Sequence, residues 1–204
     1  MSDQPIIFVV DDDDQARKAV MSLLSAMGVA TIGYASAEEF LAEYDGRRPA
    51  CLVTDVRMLG MSGLELQEEL LRRGEAIPVI VLTAFASTSG TVRAMKNGAV
   101  TLLEKPCNDD ELWEAVRDGL AADRQALTAD QSRADVLRRL ETLTPKEQEV
   151  MKLITAGDAN KVVARKLGCS VRTVELHRHG VFEKMAADSL AELVRMVVAV
   201  EKTR

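Results

Sequence analysis

The sequence predicts an α/β domain with a five-stranded parallel sheet, (βα)5, followed by a small all-α domain of four helices. Three observations carry this reading. Five short apolar runs, each followed by a stretch of helical spacing, fill residues 1 to about 124. From residue 141 onward the spacing is helical throughout. Charge divides in the same place: within a net charge of −6, residues 1–140 carry −8 and residues 141–204 carry +2. A length of 204 residues suits two domains, and a hydrophobic fraction of 47% is ample for two cores.

The apolar runs are Ile6–Val10, Val29–Tyr34, Cys51–Thr54, Ile77–Leu82 and Val100–Leu103. Strands apolar on both faces and joined by crossover helices belong in a parallel sheet covered on both sides. The covering stripes read as Ala19, Val20, Leu23, Leu24 and Met27, then Ala37, Phe40, Leu41 and Tyr44, and finally Leu112, Ala115, Val116 and Leu120. Residues 118–140 are rich in Ala, Gln, Asp and Arg and free of proline, so residues 125–140 are expected to form a helical linker.

An open parallel sheet binds its ligand beyond the C-terminal ends of its strands. Standing there are Asp11 and Asp12 after the first run, Asp55 after the third, Thr83 after the fourth and Lys105 after the fifth. Carboxylates held close together repel, and hard oxygen ligands with open positions suit Mg2+. Lys105 offsets the remaining negative charge. Asp13 and Asp14 are read as helix-capping residues only.

Val9-Val10-Asp11-Asp12, Thr54-Asp55-Val56-Arg57-Met58, Leu82-Thr83-Ala84 and Glu104-Lys105-Pro106 together resemble the receiver domain of two-component response regulators. The resemblance covers about residues 5–124 and implies a flavodoxin-like fold. It implies that a sensor histidine kinase phosphorylates Asp55. It also implies that Asp12, Asp55 and the backbone carbonyl of Arg57 ligate Mg2+, with Asp11 assisting through water. Asp55, Thr83 and Lys105 then form the phosphoryl-transfer set, in which the metal, the Thr83 hydroxyl and Lys105 neutralise the phosphoryl oxygens. Thr83 and position 102 are the switch pair, but Leu102 stands where many receivers carry an aromatic residue. Leu59 replaces the usual proline of the loop after Asp55, and Cys107 stands where an aromatic residue is common.

In residues 141–204, Thr144, Pro145 and Glu147 signal a helix start, with Val150, Met151, Leu153 and Ile154 as its buried face. Gly157 ends that helix, Asn160–Leu167 forms a second, and Ser170 caps a third running through Met185, which makes a helix-turn-helix. A fourth helix, from Ser189 to about Val200, offers Leu190, Leu193, Val194, Val197 and Val198 to the core. Leu143-Thr144-Pro145, Asn160-Lys161, Ala164, Leu167-Gly168, Ser170, Arg172-Thr173-Val174 and His177-Arg178 resemble the DNA-binding domain of LuxR/FixJ-type regulators. The resemblance implies a recognition helix from Val171 to Met185 in the major groove. Ser170, Arg172, Thr173, Val174, His177 and Arg178 are its candidate DNA contacts, with Lys161 and Lys184 near phosphates.

The expected protein is a cytoplasmic transcription regulator and not an enzyme. It lacks a long apolar run, and its three widely spaced cysteines suggest neither a disulfide framework nor a zinc site. Its expected partners are the kinase, double-stranded DNA, RNA polymerase and, after phosphorylation, a second copy, with no membrane partner. Two rivals stand beside this reading. One is a phosphorylation-independent DNA-binding regulator with an atypical receiver, and the other is an aspartate-dependent phosphohydrolase.

Overall fold

The computed structural model describes residues 4–201. The chain divides into two compact units between Leu127 and Thr128. In the first, β1 (Ile6–Val10), β2 (Ala30–Tyr34), β3 (Ala50–Asp55), β4 (Val79–Thr83) and β5 (Thr101–Glu104) form a parallel sheet of order β2-β1-β3-β4-β5. Alternate residues of each strand point to opposite faces. Phe8 and Leu52 join Phe40 of α2 (Ala37–Glu43), Leu66 and Leu70 of α3 (Gly63–Arg73) and Ala94 of α4 (Thr88–Lys96). On the other face Ile7, Val9, Val53 and Ile80 meet Leu24 of α1 (Asp14–Ala26) and Leu112, Val116 and Leu120 of α5 (Asp109–Glu141). The predicted flavodoxin-like (βα)5 architecture is the observed one.

Capping follows local chemistry. Asp13 accepts from the amides of Gln15 and Ala16 at the start of α1, and Ser62 and Glu65 exchange a capping box at the start of α3. The expected stripe on α1 needs one correction: Ala19 and Met27 are exposed, because Val20, Met21, Leu23 and Leu24 fill the narrow face turned to the sheet. At the N-terminal edge of the sheet the buried Asp123 of α5 accepts from Arg48 and, at 2.9 Å, from the amide of Ala50, fixing α5 to the beginning of β3.

α5 runs without interruption through residues 125–140. Its last turns give Val136 and Leu140 to the core of the second unit, alongside α6 (Pro145–Thr155), α7 (Asn160–Leu167), α8 (Val171–Met185) and α9 (Leu190–Glu201). The four helices expected there thus share their core with the end of a fifth. On α9 the buried positions are Leu193, Val197 and Val200, whereas Val198 is turned outward, one residue off that face.

Thr144 and Glu147 form the expected capping box of α6. The Glu147 carboxylate accepts from the Thr144 amide at 2.8 Å and from Lys184 Nζ at 2.6 Å, which joins α6 to α8. A glycine inside α8 makes room for it: a Cβ at Gly180 would stand 2.5 Å from Glu147 Oε1. The Lys184 hydrogen bond holds the Glu147 carboxyl below its ordinary range, helped by the Thr144 amide. A depressed carboxyl contributes stability that is complete above its unfolded pKa and is lost as pH falls through the folded one. Glu147→Gln is therefore expected to cost about 1–3 kcal/mol at pH 7. The difference should shrink on acidification below the ordinary glutamate range, as measured by urea unfolding of both chains at each pH.

Candidate functional site

Parallel strands in register bring their C-terminal ends to one edge. Val10 pairs with Thr54, Asp55 with Leu82, and Thr83 with Glu104, so Asp11, Asp55, Thr83 and Lys105 emerge together. The strand order reverses between β1 and β3, where such sheets open a crevice. Asp11, Asp55 and Thr83 are buried.

Lys105 reaches from beyond β5 across this edge, its Nζ 2.5 Å from Asp55 Oδ1 and 2.7 Å from Asp11 Oδ2. Burial alone would lower the Lys105 pKa, but the hydrogen bonds to Asp11 and Asp55 outweigh it and raise the group above its ordinary value. The remaining oxygens bind backbone: Asp55 Oδ2 accepts from the Arg57 amide at 2.5 Å and Asp11 Oδ1 from the Asp13 amide at 2.9 Å. Asp12 is exposed, and its Oδ2 accepts from the Leu59 amide at 2.9 Å. Two carboxylates on one cation, with a third beside them, are donors that fit Mg2+, which takes one or two carboxylates and keeps several waters. Among the described residues, no group of three acidic, His or Cys side chains forms a metal cage by itself.

The Thr83 hydroxyl does not point at Asp55. It donates to the Phe85 carbonyl at 3.1 Å and accepts from the Phe85 amide at 3.2 Å. Leu102 is half-buried against the cluster that contains Phe8 and Leu52. The Phe85 ring is 67% exposed and carries the Arg57 guanidinium 4.9 Å from its centroid, while Leu59 projects into solvent. Gly63, absent from the sequence reading, belongs to the site: a Cβ there would stand 2.0 Å from the Asp55 carbonyl oxygen and 2.8 Å from Thr54 Oγ1. Nothing in its immediate sequence announces so close an approach, which arises from how α3 meets β3.

In the second unit α7 and α8 form the helix-turn-helix, with Gly168 left-handed between them and Ser170 Oγ accepting from the Thr173 amide. The predicted contact face of α8 is corrected at Val174, which is fully buried in the helical core and has no surface to offer. Position 174 lies seven residues from the buried Val181, so the same side of the helix faces inward at both. His177 is half-buried, and Arg178 is held inside the unit by Asn160 Oδ1 at 2.9 Å and by the Phe182 ring. Lys184 is likewise paired, with Glu147. Arg172 and Lys161 are exposed, and Thr173 is half-buried beside Ser170. The outward stripe consists of Arg172, Glu175, Leu176, His179 and Glu183, of which only Arg172 is among the contacts expected from the sequence.

All three cysteines are free thiols, and burial pushes those of Cys51 and Cys107 up. Among the described residues, no helix is long and apolar enough to cross a membrane.

Comparison with known proteins matches residues 7–117 to the response regulator receiver domain and residues 141–197 to the bacterial regulatory proteins of the luxR family. Nodulation protein W of Bradyrhizobium diazoefficiens is 43% identical over 195 residues, covering 96% of this chain and 86% of that protein. The transcriptional regulatory protein FixJ of Azorhizobium caulinodans is 42% identical over 192 residues, covering 94% and 91%. Among solved structures, the response regulator StyR superposes with a TM-score of 0.84 at 37% identity, covering 96% of this chain and 98% of that one. Full-length FixJ from B. japonicum superposes with 0.60 at 34% identity, covering 99% of each.

Gly63→Ala tests the packing beneath Asp55. Because backbone must shift to admit the methyl group, the change is expected to cost about 1–3 kcal/mol. The midpoint of urea unfolding measures it, and an unchanged midpoint would show that α3 does not press on the Asp55 carbonyl.

Proposed function

The chain belongs to the two-component response regulators that join a receiver to a LuxR-type DNA-binding domain, and on that premise we propose that phosphorylation of Asp55 controls its binding to DNA. The observation that carries the proposal is the single ammonium of Lys105 shared by the carboxylates of Asp11 and Asp55. It marks the point where negative charge is gathered and compensated before any phosphate arrives.

The phosphoryl donor is a phosphohistidine of a sensor kinase. An Asp55 carboxylate oxygen attacks phosphorus in line with the leaving histidine nitrogen. The new O–P bond forms as the N–P bond breaks, and the electron pair stays on the imidazole. Lys105 then transfers part of its hydrogen bonding from the carboxylate to a phosphoryl oxygen. Thr83 turns its hydroxyl from the Phe85 backbone to another. Asp11, Asp12, Asp55 and the Arg57 carbonyl are the residues that would hold Mg2+, which supplies charge neutralisation on the transferring group.

Withdrawal of the Thr83 hydroxyl loosens the loop that carries Phe85, and this is the step that signals beyond the site. Leu102 has no polar atom to follow it, so the response in this chain is one of packing. The product is a pair of receivers joined through the face of α4, β5 and α5, which presents two copies of α8 to half-sites about 34 Å apart. The domain limits we assign are residues 1–124 for the receiver, 125–140 for a helical linker whose last turns also enter the core of the second unit, and 141–204 for the DNA-binding domain. Lys161, Ser170, Arg172, Thr173 and His177 remain DNA contacts in this reading, with RNA polymerase as the eventual partner and activation as the outcome.

Light scattering with Mg2+ and beryllofluoride, a phosphoryl mimic, tests the central step. Wild type is expected to move from monomer toward dimer while Asp55→Ala does not. If neither chain shifts, phosphate-driven pairing is wrong and the phosphorylation-independent regulator takes its place.

A further inference from the structure

The outward stripe of α8 carries an unusual set of side chains for a helix that meets DNA. Arg172 stands at its N-terminal end, followed by Glu175, Leu176 and His179, all exposed, with Leu176 at 69%. Among the described residues, the side chains of Arg172, Glu175 and His179 have no ion-pair or hydrogen-bond partner, whereas Arg178 and Lys184 of the same helix are engaged within the domain. The domain therefore engages two of the cations of α8 in its own packing, and between the exposed Arg172 and His179 the helix turns the carboxylate of Glu175 and the side chain of Leu176 outward.

A carboxylate directed at a groove flanked by phosphates is repelled by nearly everything there. It is offset only by a base that presents a hydrogen-bond donor. In the major groove the donors are the cytosine N4 and adenine N6 amino groups, and adenine adds the N7 acceptor next to its donor, which opposes the second carboxylate oxygen. Cytosine presents its amino group without that neighbour. A leucine beside the carboxylate has one apolar complement in the groove, the 5-methyl group of thymine.

We infer that the outward face of α8 reads a C·G pair through Glu175, which accepts from the cytosine N4 amino group, and a neighbouring T·A pair through Leu176, which packs on the thymine methyl. The inference deepens the DNA-binding reading above and rests on it. Glu175 also acts by exclusion: on a site lacking the amino donor its charge remains uncompensated, so it weakens binding to unrelated DNA as well as favouring the cognate step.

Sites selected from randomised duplexes by the full-length chain, activated with Mg2+ and beryllofluoride, test both assignments. Wild type is expected to select cytosine at one position beside a thymine. Glu175→Gln is expected to move that position to adenine, whose N6 and N7 a glutamine engages together. The same variant should bind unrelated duplex more tightly than wild type. Replacing the thymine by uracil, which removes only the methyl group, should weaken wild type about fourfold, the worth of one buried methyl, and leave Leu176→Ala unaffected. Both residues are exposed, so both variants keep the fold. A wild type that selects a site whose base preference survives Glu175→Gln overturns the assignment of Glu175. Equal binding of thymine and uracil sites by wild type overturns that of Leu176. A wild type that binds no duplex at all overturns the DNA-binding reading itself.

Discussion

The receiver is organised around one electrostatic constraint: Asp11 and Asp55, buried at the ends of adjacent strands, must share a cation. Two carboxylates buried side by side repel. The sheet supplies the remedy through its order. Because β5 lies two places beyond β3 in an all-parallel arrangement, the residue after its last position reaches back over the same edge. The rest follows from holding that geometry. The Arg57 and Asp13 amides fix the second oxygen of each carboxylate, and the absence of a side chain at Gly63 lets α3 close beneath Asp55.

Much of this was legible in the sequence because it is written locally. Strand runs, crossover helices, the Asp13 and Ser170 caps and the Thr144–Glu147 box depend on residues within one turn of each other. The charged strand ends could be placed because a parallel sheet collects them whatever the details of packing. What escaped the sequence depends on distant neighbours. Gly63 and Gly180 look like ordinary helix residues until α3 meets the Asp55 carbonyl and α8 meets Glu147. Thr83 stands at the end of β4 as its run implies, but the bonds of its hydroxyl to Phe85 are a choice of rotamer that no spacing encodes.

The recognition helix shows the same limit in another form. A stripe of positions three and four apart was correctly sought, but the period alone does not say which stripe faces in. Val174 and Val181 settle it by belonging to the core, and the cations Arg178 and Lys184 bond within the domain, tying α8 to α7 and α6. Positive charge in a DNA-binding helix is thus divided between holding the domain together and meeting the nucleic acid, and only contacts distinguish the two uses.

The Arg48–Asp123 pair has an evolutionary consequence. Asp123 is buried and keeps only the Ala50 amide once Arg48 is gone, so losing Arg48 alone strands a charge in the interior, at a cost of about 3–5 kcal/mol. Drift at position 48 is therefore tied to drift at position 123, although 75 residues separate them. Descendants of this chain should inherit the two positions jointly or exchange both for an apolar pair. The anchoring of α5 to the start of β3 would then behave as a single heritable character rather than as two independent sites.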